Sequence, residues 1–203
     1  MKKTAVLFTV LVFWLVIAKV GFAQQDHGSS LDAFFGLASE PAGDVGTGLG
    51  FGVGLNIPFT SVFDVSTRSD TTDNLVLRAD LSYFSWDGDT SAPFVTFEEE
   101  FKRIPIFLGL RLFVPPGKIK AKRLGIYGEI GIELSFDEVE VKTTNTLAGT
   151  SVKTSDDEIN FGVPIGAGIQ YYISEKWYLG FYSRLHIISD SYFTLTGAVG
   201  FDL

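Results

Sequence analysis

Cysteine is absent from this 203-residue chain, so no disulfide framework, no thiolate zinc cluster and no lipid-modified N-terminal cysteine is available. Histidine occurs only twice, and the sequence implies neither a metal site nor a cofactor. Basic charge is also scarce. Sixteen Lys and Arg face 24 Asp and Glu, and a net charge of −8 argues against a nucleic-acid partner. Long apolar runs are missing everywhere except at the start, since nothing beyond residue 23 approaches the roughly 18 consecutive apolar residues of a helical membrane span. At the start, Lys2 and Lys3 precede an apolar run over residues 5–18, and Gly21-Phe22-Ala23 supplies small residues at a cleavage site. This predicts a secretory signal peptide over residues 1–23, followed by a polar leader over residues 24–30. Its removal takes Lys2, Lys3 and Lys19 but no acid, moving the net charge from −8 to −11.

What the rest of the chain has is alternation. From Ile159, one parity carries Ile159, Phe161, Val163, Ile165, Ala167, Ile169, Tyr171 and Ile173, and the other carries Asn160, Gly162, Pro164, Gly166, Gly168, Gln170 and Tyr172. Successive strand side chains point to opposite faces, so this reads as one strand with an apolar face and a small or polar face. Two more such segments follow, over 177–187 and 192–203, each near the roughly 9–11 tilted residues that cross a bilayer. Upstream, five glycines (46, 48, 50, 52 and 54) alternate with apolar residues over 45–57. A dinucleotide site needs a helix after such a run, whereas here the alternation continues. The glycines therefore predict close approach inside a narrow barrel. Further segments fall at 31–38, 75–83, 97–114 and 124–136, with a loop expected from Trp86 through Pro93. The resulting fold is all-β: an eight-stranded antiparallel up-and-down transmembrane β-barrel over residues 31–203. Strands four to six are expected to run past membrane length around a tip at residues 145–149.

Two features place the apolar face outside. It lacks charge at mid-strand, and the other face is too poor in charged residues to be a water-facing exterior. A soluble barrel would show the reverse. Tyr83, Trp86, Trp177 and Tyr192 lie near strand ends, where an aromatic girdle is expected. Pro105 and Pro164, lacking a ladder donor, are expected at the rim or at bulges.

Residues 159–203, the glycine strand 45–57 and the Ile104-Pro105-Ile106 segment together resemble the OmpA/OmpX-like family of small outer-membrane β-barrels. The stretch GAGIQYYISEKWYLGFYSRLH is similar to that family's penultimate hairpin. The alternating last strand, with Phe193, Leu195, Val199, Phe201 and Leu203, resembles its assembly signal, although the chain ends Phe201-Asp202-Leu203 rather than in Phe. The resemblance implies outer-membrane lipid, lipopolysaccharide and the outer-membrane assembly machinery as partners, and a monomer.

Candidate chemistry falls into three groups. Arg78, Asp80, Arg111, Glu129, Glu133, Gln170, Arg184 and Asp202 share the lumen parity, where charges must pair because burying them alone is costly. Eight strands leave an interior just wide enough for side chains to fill, so a structural plug is expected ahead of a narrow pore or a solute transporter. Glu98, Glu99, Glu100, Asp137, Glu138, Glu140, Asp156, Asp157 and Glu158 form an acidic group on the outer side, suited to a protein partner at the loops or to cation bridges with lipopolysaccharide phosphates. His186, Ser189 and Asp190 raise a lipid A-modifying hydrolase as a further alternative, but His and Ser three apart on a strand point to opposite faces. No catalytic residue is assigned.

Overall fold

The computed structural model describes residues 29–39, 46–63, 74–114 and 123–203. The expected signal peptide, most of the leader, and most of the basic turn at 118–123 lie outside these residues. Eight strands close into a barrel in chain order: β1 (Ser30–Ala38), β2 (Gly48–Pro58), β3 (Leu75–Ala92), β4 (Val95–Phe113), β5 (Leu124–Asn145), β6 (Thr150–Tyr172), β7 (Trp177–Ile187) and β8 (Tyr192–Asp202). One short helix, α1 (Phe59–Val62), follows β2. Every neighbouring pair is antiparallel, and β8 closes on β1 with Ser30 opposite Asp202.

The stagger fixes the barrel's girth. From Leu37, register partners run through Leu49, Ser85, Lys102 and Glu138 to Asp157 on β6. In the other direction they run through Leu195 and Ser183 to Ala167, ten residues further along the same strand. So narrow a ring leaves no room for a wide channel.

The period of two assigns the faces as the alternation predicts. On β1, Leu31, Phe35 and Leu37 are exposed, whereas Asp32, Phe34 and Ala38 are buried. The same holds on β8, where the assembly-signal residues Phe193, Leu195, Val199 and Leu203 face outward and Phe201 packs on Trp177 at 5.0 Å between ring centroids. The glycine parity of β2 forms a floor for large lumen side chains. A Cβ on Gly50 would stand 2.2 Å from the Phe84 ring, and one on Gly52 would stand 2.6 Å from the Leu81 carbonyl.

Three expectations are corrected. First, the loop expected after Trp86 is strand as far as Ala92, paired with β4 down to Ala92 opposite Val95, so four strands rather than three exceed membrane length. Above the membrane a strand needs no apolar stripe, and the Asp87-Gly88-Asp89 stretch carries none. Second, Trp86 and Tyr192 are not in the girdle but in the lumen, both fully buried with Phe84, Phe101, Ala38 and Ile188 in an aromatic plug at the outer rim. Trp177 and Tyr83 do lie on the outer face. Third, neither proline marks a bulge. Pro105 stays opposite Ser135 and Pro164 opposite His186, with the register unbroken on either side. Each lost donor shows on the other flank, where pairing lapses between Leu81 and Phe84 of β3 and between Ile130 and Glu133 of β5. Pro164 lies one pair below the end of β7 and so does sit at a rim; Pro105 does not.

Candidate functional site

Two regions carry polar chemistry: the lumen and the sheet above it. In the periplasmic half of the lumen, β1, β2, β3, β4, β5 and β7 each project side chains into one network. Arg78 donates to Asp32 from both terminal nitrogens, its Nη2 to Oδ1 at 2.8 Å, and its Nη1 also donates to Asn56 at 3.0 Å. Its Nε lies 2.6 Å from Asp80 Oδ1, a close ionic contact rather than an aligned hydrogen bond. Arg111 donates to Glu129 Oε2 from Nε and Nη2 at 3.1 and 2.8 Å, and Arg184 bridges Glu129 Oε1 at 2.9 Å and Asp80 Oδ2 at 2.8 Å. Three guanidinium groups thus meet three carboxylates, all buried. Aromatic faces complete the cations' surroundings, with Arg111 3.9 Å from the Tyr127 centroid and Arg184 4.0 Å from that of Phe107.

The network unites Arg78, Asp80, Arg111, Glu129 and Arg184 as the shared parity predicts, but leaves three expected members apart. Glu133 faces His186 Nδ1 and accepts from the Tyr192 hydroxyl at 3.1 Å. Gln170 donates to the Tyr172 hydroxyl at 3.2 Å, and Asp202 stands at the strand end beside Ser30. Sequence reading missed Asp32, Asn56 and Tyr178, whose parity would have placed them in the lumen. It also placed Asp137 in the exposed outer group. Asp137 is instead buried on the lumen face, where Arg103 donates to it from Nε and Nη2 at 2.8 and 2.6 Å and Asn160 Nδ2 donates at 2.9 Å. Its odd number on β5, shared with Glu129 and Glu133, fixes that face. Arg103 also reaches the Asp190 carbonyl and lies over the Tyr192 ring, tying the base of the upper sheet to the β7–β8 turn.

A void in the lumen, between Phe34, Phe84, Pro105, Phe107, Tyr182 and His186, measures about 10 Å³, room for about one water. Both ring nitrogens of His186 are engaged, by Glu133 and by the Thr194 hydroxyl, and the Ser189 hydroxyl donates to Asn160. The hydrolytic trio is therefore not assembled.

Above the outer rim, β3 to β6 continue as a four-stranded fin. On β5 residues 139–145 add roughly 20 Å at about 3.3 Å per residue. Its outward face is charged and laced by ion pairs: Glu98–Lys142 at 2.7 Å, Glu140–Lys153 at 2.5 Å and Glu100–Lys102 at 3.0 Å. These neighbours raise the basicity of Lys142 and Lys102, and Lys153 holds the Glu140 carboxyl below its usual range. The lumen-parity face carries Phe97, Val139, Val141 and Val152, with Glu99 among them. Asp156, Asp157 and Glu158 lie exposed on β6, and Glu138 stands opposite Asp157. Among the described residues, 150–162 of β6 pair only with β5, because pairing with β7 begins at Val163. The opposite edge, beyond Ser85 of β3, is likewise unpaired with β2.

In sequence the chain matches the family described as "Outer membrane protein beta-barrel domain" over residues 59–202. No curated protein matches it. Among solved structures, Ail, the attachment invasion locus protein of Yersinia pestis, is similar with a TM-score of 0.53 at 12% identity, covering 88% of this chain and all of Ail. The outer membrane protein OprG of Pseudomonas aeruginosa gives a TM-score of 0.51 at 12% identity, covering 89% of this chain and 98% of OprG. A major outer membrane protein of Thermus thermophilus gives 0.50 at 10% identity, covering 87% of this chain and 100% of that protein.

Proposed function

This chain belongs to the outer membrane protein beta-barrel family, and from that premise we propose that it is a non-conducting, non-enzymatic barrel whose working part is the fin. The observation that carries the reading is the outer edge of β6, which runs past the end of β7 before Val163 and stands above a lumen closed by ion pairs and aromatic rings. The edge of a sheet offers backbone donors and acceptors to an incoming strand. Asp156, Asp157 and Glu158 on that edge favour an extended partner rich in Lys or Arg, as electrostatic complementarity selects partners and speeds encounter. Glu138 beside Asp157 on the outward face also favours divalent cations bridging to lipopolysaccharide phosphates. Attachment, the role in Ail's name, fits such a surface, but at 12% identity that likeness carries the fold alone.

Single-channel recording in planar bilayers, with a heat-modifiability gel on the same refolded sample, tests the reading. A heat-shifted band without discrete openings is expected; steady openings would promote the transport alternative. Cells displaying D156N/D157N/E158Q should attach less to a surface coated with basic protein than cells displaying the parent. Unchanged attachment removes the acidic edge from the reading.

A further inference from the structure

Among the described residues, the lipid-facing surface has one exception. Large outward side chains around the ring are about half exposed, including Phe51 at 62% and Val53 at 46% on β2 itself. Further down the same face, Leu55 falls to 2%, Ile57 to 7% and Ala79 on β3 to 7%. These three share the outward parity, so they should meet acyl chains, yet they are covered. At this end of β2, α1 follows Pro58 and lies against both β2 and β3.

The helix has an apolar side of its own. Phe59 and Phe63 stand four residues apart, one turn on, and their rings pack at 4.5 Å between centroids. Val62 and Phe63 are 50% and 48% exposed, matching the lipid-facing positions of the strands. No ionisable side chain occurs from Asn56 to Phe63, so nothing there resists dehydration. The site is at the end of the barrel that holds Ser30 and Asp202, opposite the fin, and therefore at the periplasmic rim.

We infer that α1 is an interfacial anchor: Val62 and Phe63 insert into the phospholipid leaflet on the periplasmic side and widen the barrel's lipid footprint over β2 and β3. The occupant is phospholipid because the exposed Val62 and Phe63 belong to a segment that lies against β2 and β3, whose outward residues form the barrel's own lipid-facing band. A short apolar segment lying in the interface buries its face at the boundary between headgroups and acyl chains, and Thr60 and Ser61 supply hydroxyls suited to the headgroup level.

The absence of native cysteine makes the test direct. Val62→Cys and Phe63→Cys, each carrying a nitroxide, are reconstituted in vesicles of phosphatidylethanolamine and phosphatidylglycerol. Val53→Cys on the lipid face and Val152→Cys on the fin serve as references, and a heat-shifted band confirms folding of each variant. Expected is preferential collision with oxygen at 62 and 63, as at 53. Preferential collision with a water-soluble nickel chelate, as at 152, overturns the anchor. Spin–spin broadening that grows with protein density also overturns it, assigning the helix to contact between copies.

Discussion

At the scale of single residues, the lumen shows what parity reveals and what it does not. An even number on β3 or an odd one on β5 names the face, so the inward placement of Arg78, Asp80, Glu129 and Arg184 was legible. Which acid meets which arginine was not, because partners come from strands far apart in sequence, as Arg184 and Asp80 do. Trp86 and Tyr192 lie near strand ends, where a girdle forms, but their even numbers on β3 and β8 put them in the lumen. A buried ion pair is weak evidence for stability, but removing one partner orphans a charge and costs roughly 3–5 kcal/mol. Asp32→Ala, which strips Arg78 of its hydrogen-bonded carboxylate, should therefore destabilise by about that amount. Lys142→Ala, which breaks an exposed pair, should change stability by no more than ~1 kcal/mol. Urea unfolding in lipid vesicles, read by the heat-shifted band, compares the two, and equal effects would mean the network is open to water. Glycines make a second pair. Gly52→Ala puts a Cβ 2.6 Å from the Leu81 carbonyl and 2.4 Å from the Phe34 ring, whereas one at Gly197 has nothing within 4 Å. The first should cost about 1–3 kcal/mol by overpacking; the second should be close to neutral in the same assay.

At the scale of elements, the four short strands β1, β2, β7 and β8 were legible because bilayer and lumen impose a strict period of two along their whole length. The outer half of β3 was not, since Asp87-Gly88-Asp89 has the composition of a turn and is held as strand by pairing with β4. In the fin, strand structure depends on cross-strand pairs rather than on burial, so it should respond to pH where the membrane portion does not. Lys153 lowers the pKa of Glu140, and a lowered pKa means a contribution that is complete above the ordinary value of 4.5 and is lost as pH falls through the folded value. Amide protection factors over residues 139–156 should therefore drop on acidification below pH 4.5, while those of β7 and β8 hold. Glu140→Gln should lower protection at neutral pH and flatten the acid response. An identical acid response in that variant would show that the pair does not support the hairpin.

At the scale of the whole molecule, two bodies with different supports share four strands. The membrane barrel is closed by the β8–β1 seam and filled below the Trp86–Tyr192 plug by the network of Arg78, Arg111 and Arg184 with their carboxylates, while Arg103–Asp137 lies at the level of the plug itself. The fin adds ladder and charge above that plug, and Val139 is where its lumen-parity face packs onto the plug. None of the central network's six charged residues comes from the fin. Replacing residues 141–154, the distal β5–β6 hairpin, with a two-residue Asn-Gly turn should therefore leave a folded barrel. It removes none of Asp32, Arg78, Asp80, Arg111, Glu129 or Arg184, and it leaves Val139 on the plug and the Arg103–Asp137 bridge in place. The shortened chain should retain its heat-shifted band and its urea midpoint, and, because Asp156, Asp157 and Glu158 stay on β6, its attachment to basic surfaces as well. Lost attachment in a folded barrel would relocate the interaction from Asp156–Glu158 to the distal hairpin. Loss of the heat shift would mean that the fin nucleates closure of the ring, a role that the independence of the two sets of contacts argues against.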